Sequence, residues 1–359
     1  MTPSDPVDWA LAARIATRIA QRTPPPVPWA GVADDLVRLV PLAETLVTAE
    51  TGLGSPTGRA RTQVVDRAEW IELNLASFRQ LLGPLFERFG ERLAAGRVAG
   101  PQLAVTRRLS GIELGLLLGW MSGRVLGQYD LLVTDEADDG VDTIYIVGPN
   151  LAAIEHRHGF DPAQFRLWVA LHEVTHRAQF TGVPWMRDHY LALVREVLAI
   201  AEPDPATLFT GLREAVRART ETRQRLEEGG MVALLATPSQ REALGKVAGL
   251  MSLLEGHGDV TMDRAGAADV PDAQRFGRVL RERRRQTNPL ARFIQRMVGL
   301  EAKLQQYEAG EQFIAAIEAE RGPRAVDVCW SDPERLPTMD EIRLPASWLA
   351  RCAPGPLVA

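Results

Sequence analysis

Five glycines, Gly111, Gly115, Gly119, Gly123 and Gly127, recur at every fourth position. Four residues is close to one helical turn, so on a helix they form one nearly straight row. Each costs roughly 1 kcal/mol of helix propensity relative to alanine. A chain tolerates such a row where a second helix approaches closely and packing offsets the loss. In a bilayer the row would mark a helix-dimer seam. Here Glu113 and Arg124 lie within it, and the uncharged stretch between them is too short to span. The row therefore predicts tight helix packing in a water-soluble core.

The remaining composition agrees. Of 359 residues, 46% are hydrophobic and 24% charged, the balance of a globular chain that buries its core without staples. The length allows one large domain or a core with a satellite. A net charge of -5 argues against sequence-independent nucleic-acid binding, which needs a strong basic field. The arginines Arg275, Arg278, Arg281, Arg283, Arg284 and Arg285, with Glu282 among them, read more readily as a solvated, ion-paired face than as an anion site. Cys329 and Cys352 form no CxxC pair and give no reason to expect a disulfide. The first nine residues lack a basic stretch followed by an apolar one, so no signal peptide is expected. No run is apolar enough to span a membrane. The expectation is a cytoplasmic protein without nucleic-acid or membrane partners, its oligomeric state open.

The chain reads as mainly α, an α+β protein with a small β-hairpin. Helical patterns cover 8–22, stopped by Pro24, Pro25 and Pro26, then 32–48 and 68–95, interrupted at Gly83–Pro84. Further helices are expected over 188–201, 206–228, 239–263 and 273–304, the last broken at Pro289. Strands are expected at 129–134 and 143–147 around an acidic turn. The proline-rich tail after Arg321 is expected to wrap over the surface. The expected organisation is an N-terminal helical region over 1–100, a metal-binding catalytic domain over 101–345 and a tail over 346–359.

The chemistry concentrates in 161–176. Asp161 can N-cap a helix, Pro162 suits its first position, and Gln164 can complete a capping box. The helix carries HEVTH at 172–176. His172 and His176, four apart, point from one face, as two zinc ligands require. Glu173 is rotated by about 100° and can reach a metal-bound water as general base. Arg177 departs from the pattern, since metallopeptidases usually carry an uncharged residue there. The competing reading is a surface helix with two solvated histidines.

A catalytic zinc needs a third protein ligand and an open position. The HExxHxxGxxH extension is absent, because Gln179 and Gly182 occupy its Gly and His positions. The segment 253–259, LLEGHGD, offers Glu255 as ligand, with Asp259 four residues later to orient a ligating histidine. Gly256 and Gly258 would allow close approach to the metal helix. A solvated acidic face is the plain alternative. His257 is the rival ligand or a substrate contact, and Asp188 and His189 are weaker rivals. Tyr145, Tyr190 and Arg264 are candidate oxyanion stabilisers among which the sequence does not choose.

The chain also resembles a known family, the zincin-like hydrolases of actinobacteria and relatives, and within it a branch associated with biosynthesis of the deazaflavin redox coenzyme. The resemblance rests on VVDRAEW at 64–70 with Asn74, VLGQYD at 125–130, LHEVTHRAQF at 171–180, SLLEGHGDVTMD at 252–263 and GLEAKLQQYEAGEQFI at 299–314. It implies a zincin-like, mainly helical metallopeptidase fold and a metal site at His172, His176 and Glu255. It implies no substrate, and no residue speaks for deazaflavin binding.

These readings converge on a zinc-dependent metallohydrolase, peptidase-like, acting on a peptide or small amide. Its zinc lowers the pKa of bound water and polarises a carbonyl, while Glu173 takes and returns a proton. An open edge on strand 143–147 would pair with an extended peptide. The alternative is a zincin scaffold that binds without catalysis. Glu173 favours the enzyme, since a dead relative needs no general base.

Overall fold

The structure is a computed structural model and describes residues 6–94, 100–131, 142–199, 238–285 and 300–352. The described chain is mostly helical with one three-stranded sheet. Its helices are α1 (Trp9–Gln21), α2 (Val32–Thr51), α3 (Arg67–Ala94), α4 (Gly100–Ser122), α5 (Gly148–His158), α6 (Pro162–Thr181) and α7 (Met186–Ala199). After them come α8 (Pro238–Ala265), α9 (Ala273–Arg285), α10 (Leu300–Arg321), α11 (Met339–Arg343) and α12 (Pro345–Cys352). The strands are β1 (Arg61–Val65), β2 (Gly127–Tyr129) and β3 (Thr143–Val147). No described helix is long and apolar enough to cross a membrane.

The chain divides into two compact units: Met1–Leu46, Ser55–Arg177 and Gly266–Ala273 in the first, Val47–Gly54, Ala178–Ala265 and Gln274–Ala359 in the second. In the first, the glycine row does what its spacing predicts, for three of its five members. A Cβ on Gly111 would meet the Asp8 carbonyl oxygen at 2.6 Å, and one on Gly115 would meet Ala12 O and Ile15 Cβ at 2.8 Å. One on Gly119 would meet Ile19 Cβ at 2.8 Å. α1 answers with Ala12, Ala16 and Ala20, all buried, so both helices present small residues at their contact. Asp8 N-caps α1, accepting from the Leu11 amide at 2.9 Å. Gly123 lies beyond the end of α4, and Gly127 opens β2.

β3 is the centre of the sheet. It pairs parallel with β1, Arg61 opposite Thr143, and antiparallel with β2, Gly127 opposite Ile146. The expected partnership of the two hairpin strands is present, with the first beginning at Gly127. That strand ends at Tyr129, so Asp130 and Leu131 of the expected strand 129–134 are not in it; the rest of that stretch and the expected turn before Asp142 fall outside the described residues. Since β3 is paired on both sides, its edge cannot receive a peptide; among the described strands β2 and β1 form the edges. All five β3 residues are buried, as a central strand covered on both faces requires.

Among the elements without a sequence reading are β1, the short helices α11 and α12 of the tail, and α5, which ends at Gly159 in the left-handed conformation (φ 57°). α3 continues through Gly83 and Pro84 without the expected break. The expected helix at 206–228 and the break at Pro289 lie outside the described residues.

The second unit is built on α8 and α10, which cross where glycine meets glycine. A Cβ on Gly256 would strike the Gly310 and Glu311 backbone, and one on Gly310 would strike the Ser252 carbonyl. The close approach that Gly256 permits is therefore to α10, not to the metal helix. The tail after Arg321 is not a surface wrapping. Trp348 is fully buried, packs edge-on to Phe313 with ring centroids 5.4 Å apart, and donates to the Arg335 carbonyl at 2.8 Å. Both thiols lie near that same carbonyl, Cys329 Sγ at 3.6 Å and Cys352 Sγ at 3.8 Å.

Candidate metal centre

α6 begins as its residues require. Asp161 accepts from the Gln164 amide at 2.9 Å, and Pro162 occupies the first turn. The capping box is not completed, because the Gln164 side chain accepts instead from the Asp272 amide at 3.2 Å.

The helix then presents two functional faces. At about 100° per residue, Arg166, Glu173 and Arg177 fall within about 40° of one another. His172, His176 and Gln179 fall within about 60° on a second face. The first face is anchored by buried charge. Arg166 makes a bidentate pair with Glu155 at 2.9 and 2.8 Å and also reaches Asp35. Those contacts hold its guanidinium above the usual arginine range, the Glu155 hydrogen bond contributing most. Arg177, 3% exposed, donates to Asp142 at 2.7 and 3.0 Å, to Glu44 at 2.9 Å, to the Gly58 carbonyl at 2.7 Å and to Thr57 at 3.2 Å. The charge that departed from the motif is thus the helix's fastening to residues 44, 57, 58 and 142.

Between these clamps lies Glu173, 6% exposed. A Cβ on Gly127 would fall 2.5 Å from Glu173 Oε1 and 2.7 Å from its Cδ. The carboxylate therefore rests against bare backbone of the edge strand β2, and any side chain at 127 would displace it. β2 is itself held in place. Gln128 accepts from Trp70 Nε1 at 2.8 Å and from Asn74 Nδ2 at 3.2 Å. α3, which supplies both donors, starts with a reciprocal cap: Asp66 accepts from the Glu69 amide at 2.8 Å, and Glu69 accepts from the Asp66 amide at 2.7 Å. Asn150 donates to the Ser122 and Val125 carbonyls at 2.7 Å and accepts from Arg67 at 2.8 Å. The motifs 64–74 and 125–130 are thereby a hydrogen-bonded frame for the strand under Glu173.

On the second face, His172 Nε2 and His176 Nε2 are 3.1 Å apart, with the rings at 84°. Two nitrogens at that separation can both lie about 2.0–2.1 Å from one ion, at a nitrogen–metal–nitrogen angle near 100°. The pair therefore fits a metal. Among the described residues, His172, His176 and Glu255 form a group that could hold a metal ion.

Glu255 is 8% exposed on α8, one residue before the Gly256–Gly310 crossing. Nearby on α7, the Tyr190 phenol is pushed up by burial and then by the Glu255 charge, so it keeps its proton. Gln179 donates to the Leu254 carbonyl at 2.9 Å and also meets His257 Nδ1 at 3.0 Å. His257, 5% exposed, has Thr261 Oγ1 3.5 Å from that same nitrogen and Trp330 edge-on at 4.9 Å. Its ring is held by unit-two residues and does not join the ligand group. Arg264 pairs with Glu318, one contact at 3.0 Å, lining with His257 a cavity of about 20 Å³, room for one water. Asp259 is half-buried on the same helix. Tyr145 is 8% exposed in the first unit's apolar core beside Trp9, Trp70 and Leu118. His189 stands edge-on to Trp185 at 5.8 Å, its pKa lowered by burial and then by Lys246.

The chain belongs to the zincin-like metallopeptidase family, whose family model matches residues 7–349. It is similar in structure to a protein of Chloroflexus aurantiacus, described provisionally as a hydrolase with a novel fold. That match has 31% identity, covers 97% of this chain and 99% of that one, and has a TM-score of 0.71. No curated protein matches the chain.

Proposed function

We propose that the protein is a zinc-dependent hydrolase of peptide or small amide bonds, with His172, His176 and Glu255 as metal ligands and Glu173 as general base. The observation that carries this is the pair of Nε2 atoms 3.1 Å apart on a helix that also aims a buried carboxylate at the edge strand. What supports Glu255 is the contact of Gln179, on the histidine face of α6, with the carbonyl of Leu254. Bound zinc supplies a Lewis acid that acidifies a water and polarises a carbonyl.

The protein's own groups do the rest. Glu173, held against Gly127, takes the water proton and returns it to the leaving amine. Its fixed position spares the reaction the cost of orienting a base. Tyr190 keeps its proton and can donate to a developing oxyanion. The peptide lies along β2, the edge strand beside Glu173, where main-chain pairing holds it extended. Asp259 orients a ligating histidine. The narrower resemblance to a deazaflavin-associated branch gains no support from these residues, and no deazaflavin chemistry is assigned.

The test is metal analysis of purified protein beside His172→Ala, Glu255→Ala and Glu173→Gln variants, with mass-spectrometric screening of a peptide library. One zinc per chain, lost in the first two variants and kept in the third, is expected, with cleavage lost in all three. Zinc retained by Glu255→Ala would remove that ligand. Zinc bound without any cleavage would favour a binding scaffold over an enzyme.

A further inference from the structure

α4 uses its glycine face against α1, but a second face is apolar and open. Val105, Leu109, Ile112 and Leu116 are 68%, 53%, 38% and 37% exposed. They account for four of the seven exposed large hydrophobics among the described residues. Their spacing of four, three and four puts them within about 60° on the helix, roughly a quarter turn round from the glycine row. Scattered apolar residues on a surface need no explanation, but a contiguous stripe marks a contact surface. The stripe has the alternating four-three step of a coiled-coil seam, with Val105 and Ile112 at d, Leu109 and Leu116 at a.

The flanking charges select the occupant. Arg108 precedes an a position and Glu113 follows a d position, so they fall at g and e; both are exposed. In a parallel pair of α4 helices related by a two-fold axis, g of one copy faces e of the next heptad in the other, five residues on. Arg108 then meets Glu113 of the second copy, and the symmetry makes the contact twice. In an antiparallel pair g flanks g and e flanks e, so one side of the seam carries only the two Arg108 charges and the other only the two Glu113 charges. The pattern is thus complementary to itself in one orientation and repulsive in the other.

We infer that the Val105–Leu116 face of α4 is a self-association surface, on which a second copy of this chain docks its own α4 in parallel. The seam covers 12 residues, about 17 Å of helix, so the dimer is a concentration-dependent one. Glycines 111, 115 and 119 contribute to it indirectly, since they hold α4 rigidly on α1 with its stripe outward. None of Val105, Leu109, Ile112 and Leu116 has a part in the proposed reaction, and the inference does not rest on it.

Sedimentation of the full chain over a concentration series tests it, with melting by circular dichroism to show that each variant is folded. Wild type should pass from monomer to dimer. Arg108→Glu and Glu113→Arg should each raise the dimer dissociation constant about tenfold or more, since both turn two attractive pairs repulsive. Mixing the two variants should restore wild-type association, because one pair in the heterodimer is native and the other is the same pair with its charges exchanged. Leu109→Glu should abolish the dimer while leaving zinc content unchanged. A wild type that stays monomeric throughout would overturn the inference, as would a dimer that ignores Leu109→Glu. Single-charge variants that weaken the dimer without restoration on mixing would overturn the parallel orientation. Monomer binding to anionic vesicles through the same residues would assign the stripe to a membrane surface instead.

Discussion

Replacing Arg177 with Met removes the fastening of α6 while keeping most of the side chain's length. Met fills the space of the arginine stem but donates nothing. Five hydrogen bonds are lost, three of them to carboxylate oxygens. The Asp142 and Glu44 side chains are only 5% and 16% exposed, so water cannot fully replace the lost donor. Asp142 keeps the Thr57 hydroxyl at 3.2 Å, a weak substitute for a guanidinium fork. Removing one member of a buried ion pair costs about 3–5 kcal/mol, most of it the charge left behind. Arg177→Lys should recover less than half, because one ammonium cannot match the forked geometry toward two carboxylates and a carbonyl. Urea unfolding measures the loss through the midpoint at constant slope. Adding Asp142→Asn to Arg177→Met should cost less than the sum of the single changes, since the more deeply buried of the two stranded carboxylates is then neutral. A loss below about 1 kcal/mol for Arg177→Met, or additivity in the double variant, would refute the view that this arginine anchors the helix.

Gly127→Ala should leave stability and zinc content close to wild type but lower kcat on a cleaved peptide about 100-fold, because an Oε1 with a Cβ 2.5 Å away must move by the better part of an ångström; unchanged kcat would show that the carboxylate has no fixed post. Burial pushes the Glu341 carboxyl up, but the Arg351 fork and Thr338 outweigh it and hold it below the usual value of 4.5. That contribution to stability is full above pH 4.5 and lost as the pH falls through the folded-state value, so the stability gap between wild type and Glu341→Gln should close on acidification, and a gap independent of pH would count against the pair. Burial, and then the neighbouring Cys352, pushes the Cys329 thiol well up, while burial raises Cys352 against the pull of Arg351. A thiol reagent at neutral pH should therefore titrate Cys352 slowly and Cys329 only on unfolding, and two equally fast thiols would contradict this packing.

Where a pattern repeats along one element, the fold was legible. Helical spacing located α1, α2, α7 and α8, and the run of β-branched residues located β3. The glycine row announced the α1–α4 contact, although Gly127 sits in it for a different reason. β1 escaped because RTQVV is short, with two exposed residues and only its last residue fully buried; it is a strand because β3 is beside it. α5 opens with Gly-Pro-Asn and closes with His-Arg-His, which looks like a loop, yet seven of its residues are buried. Pro84 was overvalued as a breaker, since a local penalty of about 3 kcal/mol is less than a 28-residue helix can recover by packing. Trp348 was undervalued: it sits in a helix of only 8 residues, and the prolines on either side hid an anchor.

The site shows the same division between pattern and partnership. The four-residue spacing of His172 and His176 is visible in a string of letters, because a helix alone converts it to a shared face. What aims that face is not visible, since it depends on contacts 11 to 133 residues away in sequence, from Glu155 for Arg166 to Glu44 for Arg177. Arg177 looked like a blemish in the motif for that reason. Its position explains its chemistry: it lies four residues after Glu173 on the same face, so the bond that fixes the helix's rotation also fixes the direction of the base. A helix free to roll by one residue's step, about 100°, would exchange the places of the carboxylate and the histidines. Two ion-paired arginines bracketing Glu173, Arg177 buried and Arg166 partly so, remove that freedom, and the bare backbone of Gly127 gives the carboxylate its seat. The zincin motif needs only five residues to be recognised, but this chain draws on α2, α3, α5 and β2 to hold them.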